Sequence, residues 1–504
     1  MLLEKPTMGE NASSETHGQL GKRFLSQTAI YGLAMVARAL AGFALLPIYT
    51  RYLAPSDYGV IELLTMLVEF SAIFFGARIG QSFLRYYGLA DSDDERSRVL
   101  GSAYGMVAGT HLLGVLMLIV GAALLSRVLF GSDDYSHLVA LFSLTLFFGG
   151  VLEIPLAFLR AESKAYLVLG FSLWKLFLQI SLNLYFLVYL GLGVEGVAVA
   201  SVLATFISAL TVTLAVMRYR RFSFSWSLAK QLLTFSAPII LAALSMFVIT
   251  YGDRYFIRVN LNLEAVGIYA LAYKFGFMLF ALGWSPFLTM WDAERYKIYR
   301  NSDHHPMFEK VFSLVSVLVM YVALGISVWV DPVLRVMSDP AYWGAAELVP
   351  IILMGYVFLA WTSFINMGLF VKAKTHYFGS ITMVSALFCL LAYAVLIPFF
   401  GLYGAAWATT ITFFIRLLAI HWFSFKEFDM GLRWYPPVTA LILAVVLVAL
   451  KFYLVQFWPP FAVALALSLM FPLLVVALGV IPLSQIKDTF GLLLKVRQSK
   501  VDKV

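Results

Sequence analysis

Cysteine is almost absent. Cys389 stands alone, which excludes an intramolecular disulfide and any cysteine-built zinc site. Charge is scarce as well: 13% of residues are charged against 62% hydrophobic, far above the apolar share of a soluble domain. No glycine-rich phosphate loop occurs, and no polar stretch is long enough to house an ATPase. The histidines show no metal-ligand spacing; His304 and His305 share a charged loop, and neither a metal nor a resident cofactor is expected. The amino-terminal stretch 1–23 is polar and lacks the apolar core of a cleaved signal peptide, so the first hydrophobic helix is expected to be retained.

What the chain does have is long apolar runs. Stretches of about twenty apolar residues can cross a bilayer core, and the sequence predicts about fourteen. The first six are 24–48, 60–83, 98–125, 138–159, 166–190 and 194–217, forming a bundle over 24–217 behind an amino-terminal tail, 1–23. A basic linker, 218–231, leads to six more: 232–252, 266–290, 308–330, 347–371, 377–399 and 402–424, a second bundle over 232–424. Two additional helices, 437–457 and 460–481, fall in 425–481, and 482–504 is a polar tail. The expected class is an all-α integral membrane protein.

Lysine and arginine concentrate in alternate loops. Of the 36 in the chain, 25 fall on the side of the termini and 6 on the other, an asymmetry that predicts cytoplasmic termini. The net charge of +8 therefore reports membrane orientation rather than nucleic-acid binding.

The chain also repeats itself. In LAPSDYGVIELL, residues 53–64, Pro55, Ser56 and Asp57 supply turn and helix-start chemistry, with Asp57 expected to accept from amides of a helix beginning near Gly59. Adding 208 to Gly59 gives Gly267, in LEAVGIYALAYKF. The same shift carries Gly193, Gly196, Ala198 and Ala200 onto Gly401, Gly404, Ala406 and Ala408. One constant offset for separated segments predicts an internal duplication. Six spans per half give both halves one orientation, related by an axis along the membrane normal.

LAPSDYG, LRAESKAYL near 159–167, the APII…YGDRYFI run over 237–257, VGIYALAYKF and the paired GxxGxAxA segments together resemble the polysaccharide-transporter branch of the multidrug/oligosaccharidyl-lipid/polysaccharide (MOP) exporter superfamily, which includes the O-antigen-type flippases. The resemblance covers roughly residues 22–425. It implies a V-shaped pair of bundles that moves polyprenyl-diphosphate-linked oligosaccharide across the inner membrane by alternating access, with spans 1, 2, 7 and 8 flanking the opening.

Five cations fall inside the spans: Arg38, Arg78, Lys175, Lys274 and Arg416. Each needs a partner or a watery cavity. Arg38 and Lys274, near the middles of spans 1 and 8, are the leading candidates to hold the diphosphate, against the alternative of ion pairs within one bundle. Arg78, nearer the cytoplasmic end of span 2, is a further candidate for diphosphate contact, against the alternative of reaching the lipid headgroups, and Lys175 and Arg416 lie near the centres of spans 5 and 12. Arg254, beside Asp253 at the external end of span 7, is a candidate for the outward mouth. Glu69, nearly central in span 2, pairs with Arg38 or carries a coupling ion; Glu153, two residues before Pro155, is a second coupling candidate. Glu62 is expected to be solvated.

The function expected is that of a flippase, not an enzyme, driven by an ion gradient or the membrane potential, in the bacterial cytoplasmic (inner) membrane. Its partners would be the lipid-linked oligosaccharide, membrane lipids, and a polysaccharide polymerase with its chain-length machinery, and no nucleic acid. Three alternatives remain: a lipid II flippase, a drug or cation antiporter of the multidrug and toxin extrusion (MATE) type, and a membrane polysaccharide polymerase.

Overall fold

The computed structural model describes residues 43–300 and 305–480, and no strand occurs among them. In chain order the helices are α1 (Leu46–Tyr52), α2 (Pro55–Gly76), α3 (Ile79–Leu89), α4 (Asp93–Val120), α5 (Ala122–Phe130), α6 (Ser136–Ala161), α7 (Ala165–Asn183), α8 (Gly193–Met217) and α9 (Trp226–Asn260). There follow α10 (Leu263–Met278), α11 (Ser285–Tyr299), α12 (His305–Met337), α13 (Ala345–Ile365), α14 (Met367–Val371), α15 (Thr375–Glu427), α16 (Tyr435–Leu454) and α17 (Pro460–Ala477). Wider π turns at Leu184–Tyr189 and Leu279–Trp284 extend α7 and join α10 to α11. Arg38, both tails and most of the expected first span, 24–48, lie outside the described residues.

Twelve helical stretches among the described residues are long and apolar enough to cross a membrane. One, α15, has 53 residues; at 1.5 Å per residue that is about 80 Å, against a hydrocarbon core of about 30 Å. It breaks at Gly401, where φ is 58° and ψ −134°, a conformation that disfavours any side chain. Gly193, which the offset of 208 places on Gly401, opens α8 with φ 55°. The paired glycines thus mark one turn used twice.

Local signals set the helix ends. Ser92 caps α4 by accepting from Glu95 N–H, with Asp93, Asp94 and Glu95 in the first turn, where their charges complement the helix dipole. Asn262 caps α10 by accepting from Ala265 N–H. By contrast α2 starts at Pro55 itself, four residues before the expected Gly59, and Asp57 makes no cap there. Proline needs no amide partner at that position, so the helix begins without one. The second span also contains an unexpected break: Ala77 (φ 45°) and Arg78 (φ 54°) are both left-handed and separate α2 from α3.

Within the first half α4 packs on α6 and α6 on α8; within the second, α9 and α13 pack on α15, and α16 and α17 cover α12. Between the halves α2 lies along α10. The apolar core is continuous across both halves near the chain turns at 53–54, 131–135, 261–262 and 338–344. Toward the end rich in lysine and arginine, hereafter the basic end, the first half has a core of its own, built from α3, α4, α6 and α8 around Phe83, Leu100, Ile154, Phe158 and Val212.

Hydrogen bonds stitch the halves together at the opposite end. Thr50 O accepts from Asp339 N–H at 3.1 Å, Thr50 Oγ1 donates to Met337 O at 3.3 Å, and Tyr342 OH donates to Leu53 O at 3.1 Å. Arg51 donates to Val336 O at 2.7 Å, and Arg258 to Phe130 O. That end is closed.

Candidate functional site

A cavity of about 910 Å³ lies between α2, α6, α7, α8 and α9. Its charged and titratable lining is Glu69, Arg78, His111, Glu153, Arg160, Lys175 and Tyr251. Each reaches it for a local reason. Glu69 sits seven residues beyond Glu62 on α2, on the same helical face. Arg78 occupies the left-handed break after α2, so its side chain leaves the helix where the chain turns, and it is exposed in the cavity. Lys175, Ser172 and Gln179 follow one face of α7 and all line the wall.

Glu153 lies on α6, which runs unbroken through Pro155, and its Oε1 rests against Gly80 in the first turn of α3. A helix N-terminus favours a carboxylate there. Arg160, two turns further on, ends the lining toward the basic end.

The charges form one cluster. Those acting on Glu69 are Arg78, Lys175, Glu153 and Lys274, and those acting on Glu153 are Arg160 and Arg78. Three cations against two carboxylates leave the wall positive. Arginine offers a planar fork for two phosphate oxygens, and lysine a compact point charge. His111 is buried in the wall, with Nδ1–H donating to Val107 O at 2.8 Å. Neither His111 nor Arg160 is marked for this site by the sequence. A lone histidine in an apolar helix carries no sequence signal, and Arg160 reads as one more loop-end cation.

The remaining candidates are placed differently. Lys274 is not among the lining residues; its Nζ stands 2.7 Å from Glu62 Oε1, with the lysine side chain 39% exposed. Glu62, expected to be solvated, is 3% exposed, because α10 packs over it and supplies the counter-charge. Arg254 is also no mouth residue in this state: it is 3% exposed. It donates to Asp253 Oδ1 and Thr250 O, each at 2.6 Å, and lies 4.3 Å from the Tyr273 ring centre. Asp253 Oδ2 in turn accepts from Tyr269 OH at 2.8 Å. A ring of aromatics and a shared carboxylate make burying that arginine tolerable. The expected pairing of Glu69 with Arg38 falls outside the described residues.

Residues 48–339, more than half of the chain, match the family model for polysaccharide biosynthesis proteins. The chain belongs to that family. No curated protein matches it closely. Among solved structures, the lipid II flippase MurJ in an inward closed conformation is similar, with TM-score 0.72 and 12% identity, covering 89% of this chain and 98% of that one. An inward-facing multidrug resistance MATE family transporter of the MOP superfamily gives TM-score 0.60 at 14% identity, over 79% of this chain and 94% of that one. A mutant of the Vibrio cholerae MATE transporter VcmN gives 0.52 at 15% identity over 82% and 99%. This member of the polysaccharide biosynthesis family is thus a multi-pass membrane protein with the MOP transporter fold.

Proposed function

We propose that the chain is a flippase that moves polyprenyl-diphosphate-linked oligosaccharide from the cytoplasmic to the outer leaflet of a bacterial inner membrane by alternating access. The observation that carries this reading is the cavity wall bearing Arg78, Arg160 and Lys175, cations suited to a diphosphate, in a molecule sealed at the opposite end. Taking the basic end as cytoplasmic, the sealed end faces outward and the state is the one that loads substrate.

In this reading the diphosphate replaces part of the attraction that Glu69 and Glu153 exert on the three cations, while the sugar fills the cavity and the lipid tail stays in the bilayer. Opening the outer side requires parting Glu62 from Lys274 and α2 from α10. Exporting two net negative charges from a negative interior gains about 4.6 kcal/mol per 100 mV, twice the single-charge value. A proton or sodium ion returning through Glu69 or Glu153 would add to that gain. A cationic drug as cargo fits the wall poorly, since cations outnumber carboxylates there. A polymerase and its chain-length machinery would take the flipped product.

The test is the leaflet distribution of lipid-linked oligosaccharide in cells lacking the protein, probed with an external sugar-modifying enzyme. The expected result is cytoplasmic accumulation, relieved by wild type but not by an Arg78→Gln, Lys175→Gln double variant present at normal level. Accumulation of lipid II instead would reassign the cargo. A normal distribution overturns the flippase reading.

A further inference from the structure

The polar positions of the cavity recur in the second half. Around the turn between α6 and α7, Ser163 has φ 56°, and its counterpart Ala373, at an offset of 210, has φ 55°. Lys164 N–H and Lys374 N–H close the same turn, donating to Leu159 O and Leu369 O, each at 2.8 Å. Carried by 210, the α7 residues Ser172, Lys175 and Gln179 fall on Thr382, Ser385 and Cys389 of α15. The α8 residue Ser201, carried by 208, falls on Thr409. Every one of the first-half residues lines the open cavity, and every one of their counterparts is buried.

The two arms of α15 face each other through that set. Thr382, Ser385 and Cys389 follow one face before Gly401, and Thr409, Thr412 and Arg416 one face after it, each at three- and four-residue steps. Arg416 is 3% exposed. Its Nη2 donates to Thr382 Oγ1 at 3.3 Å, its guanidinium lies 5.1 Å from the Phe378 ring centre, and its Nε has no hydrogen-bond partner. No carboxylate pairs with it among the described residues. Guanidinium does not give up its proton, and an unpaired charge is costly to bury in a membrane protein.

We infer that the two arms of α15 form a second anion-binding seam, a closed duplicate of the first-half wall, with Arg416 taking the part that Lys175 plays there. Its ligand class is that of the proposed cargo, a diphosphate oxyanion, met when the second half opens; the inference rests on the flippase reading for that cargo. The cation has moved from the fifth span of its half to the sixth, since Lys175 corresponds to Ser385 and Arg416 to Ser208. The hydroxyls of Ser172 and Ser201 are retained in place as Thr382 and Thr409, and the charge is retained in kind on the facing helix.

Cys389 is the native reporter, because it is the only cysteine and is fully buried between the arms, within hydrogen-bonding reach of Thr412. In nanodiscs and in energised vesicles, the wild-type protein is treated with a small thiol reagent, with and without inorganic diphosphate. The expected result is slow but complete labelling, slowed about tenfold by diphosphate at ten times its dissociation constant. That protection persists in Arg416→Lys and disappears in Arg416→Gln. Absence of labelling in every condition overturns the inference from wild type alone, and protection that survives Arg416→Gln overturns it too. The leaflet assay is independent: a clean flippase result beside an unreactive Cys389 removes the second seam only, and a normal leaflet distribution removes the cargo whatever Cys389 does.

Discussion

Gly59 and Gly267, equivalent positions of the two halves, lie on α2 and α10 against each other's backbone. A Cβ on Gly59 would stand 2.1 Å from Leu263 O, and one on Gly267 1.9 Å from Pro55 O. Leu263 is itself the counterpart of Pro55 under the offset of 208, so the contact is reciprocal: the axis relating the halves passes between the two glycines. Nothing larger than hydrogen fits on either side. The seal at the end opposite the basic one is therefore made by the repeat meeting itself.

Gly59→Ala or Gly267→Ala is expected to push α2 and α10 apart and favour the state open at that end, since each overlap is with rigid backbone rather than a movable side chain. Spin labels at Val128 and Val336, both exposed there, would report it as a longer distance. An unchanged distance distribution would show that the glycines do not hold the seal.

The Glu62 and Lys274 pair is expected to couple the halves by about 1–2 kcal/mol, within the range for residues in contact and limited by the partial exposure of Lys274. A double-mutant cycle with Glu62→Gln and Lys274→Met, followed by thermal unfolding in detergent, measures it. Additive effects would mean the pair contributes nothing.

Glu69→Gln is expected to leave diphosphate binding intact and to abolish any acceleration of transport by an imposed proton gradient in proteoliposomes, while the response to membrane potential remains. Glu153→Gln serves as the comparison. If both variants respond to the gradient as wild type does, neither carboxylate carries the coupling ion.

Backbone conformation gives two substitutions of different expected size. Gly401→Ala places a side chain at φ 58° and ψ −134°, outside even the left-handed helical region, and is expected to cost about 1–3 kcal/mol. Ala77→Gly relieves the strain at φ 45°, but it adds the entropy of a glycine and removes a methyl buried in the first-half core, so the terms are expected to cancel to within about 0.5 kcal/mol. Thermal midpoints of the purified variants decide both. An Ala77→Gly protein with slower transport would further mark the α2–α3 break as a joint used in the cycle.

The class, the bounds of the described apolar helices to within several residues, the charge asymmetry and the duplication were all legible in the amino-acid order. They rest on composition, run length and a fixed offset, which survive without coordinates. Arg78, Lys175, Glu69 and Glu153 stand out in the sequence as well, because a charge within an apolar run must be excused wherever it occurs, and all four line the cavity. Which charges share a space was a matter of packing. Glu62 and Lys274 lie on different halves, and nothing local to either marks the other as its partner. Likewise Arg160 and His111 reach the cavity through the way α4 and α6 pack, and the left-handed break falls on Ala77 and Arg78 themselves, between Gly76 and Gly80 rather than on either glycine. Pairing between distant parts of the chain is set by how helices meet, and the same apolar pattern permits many meetings.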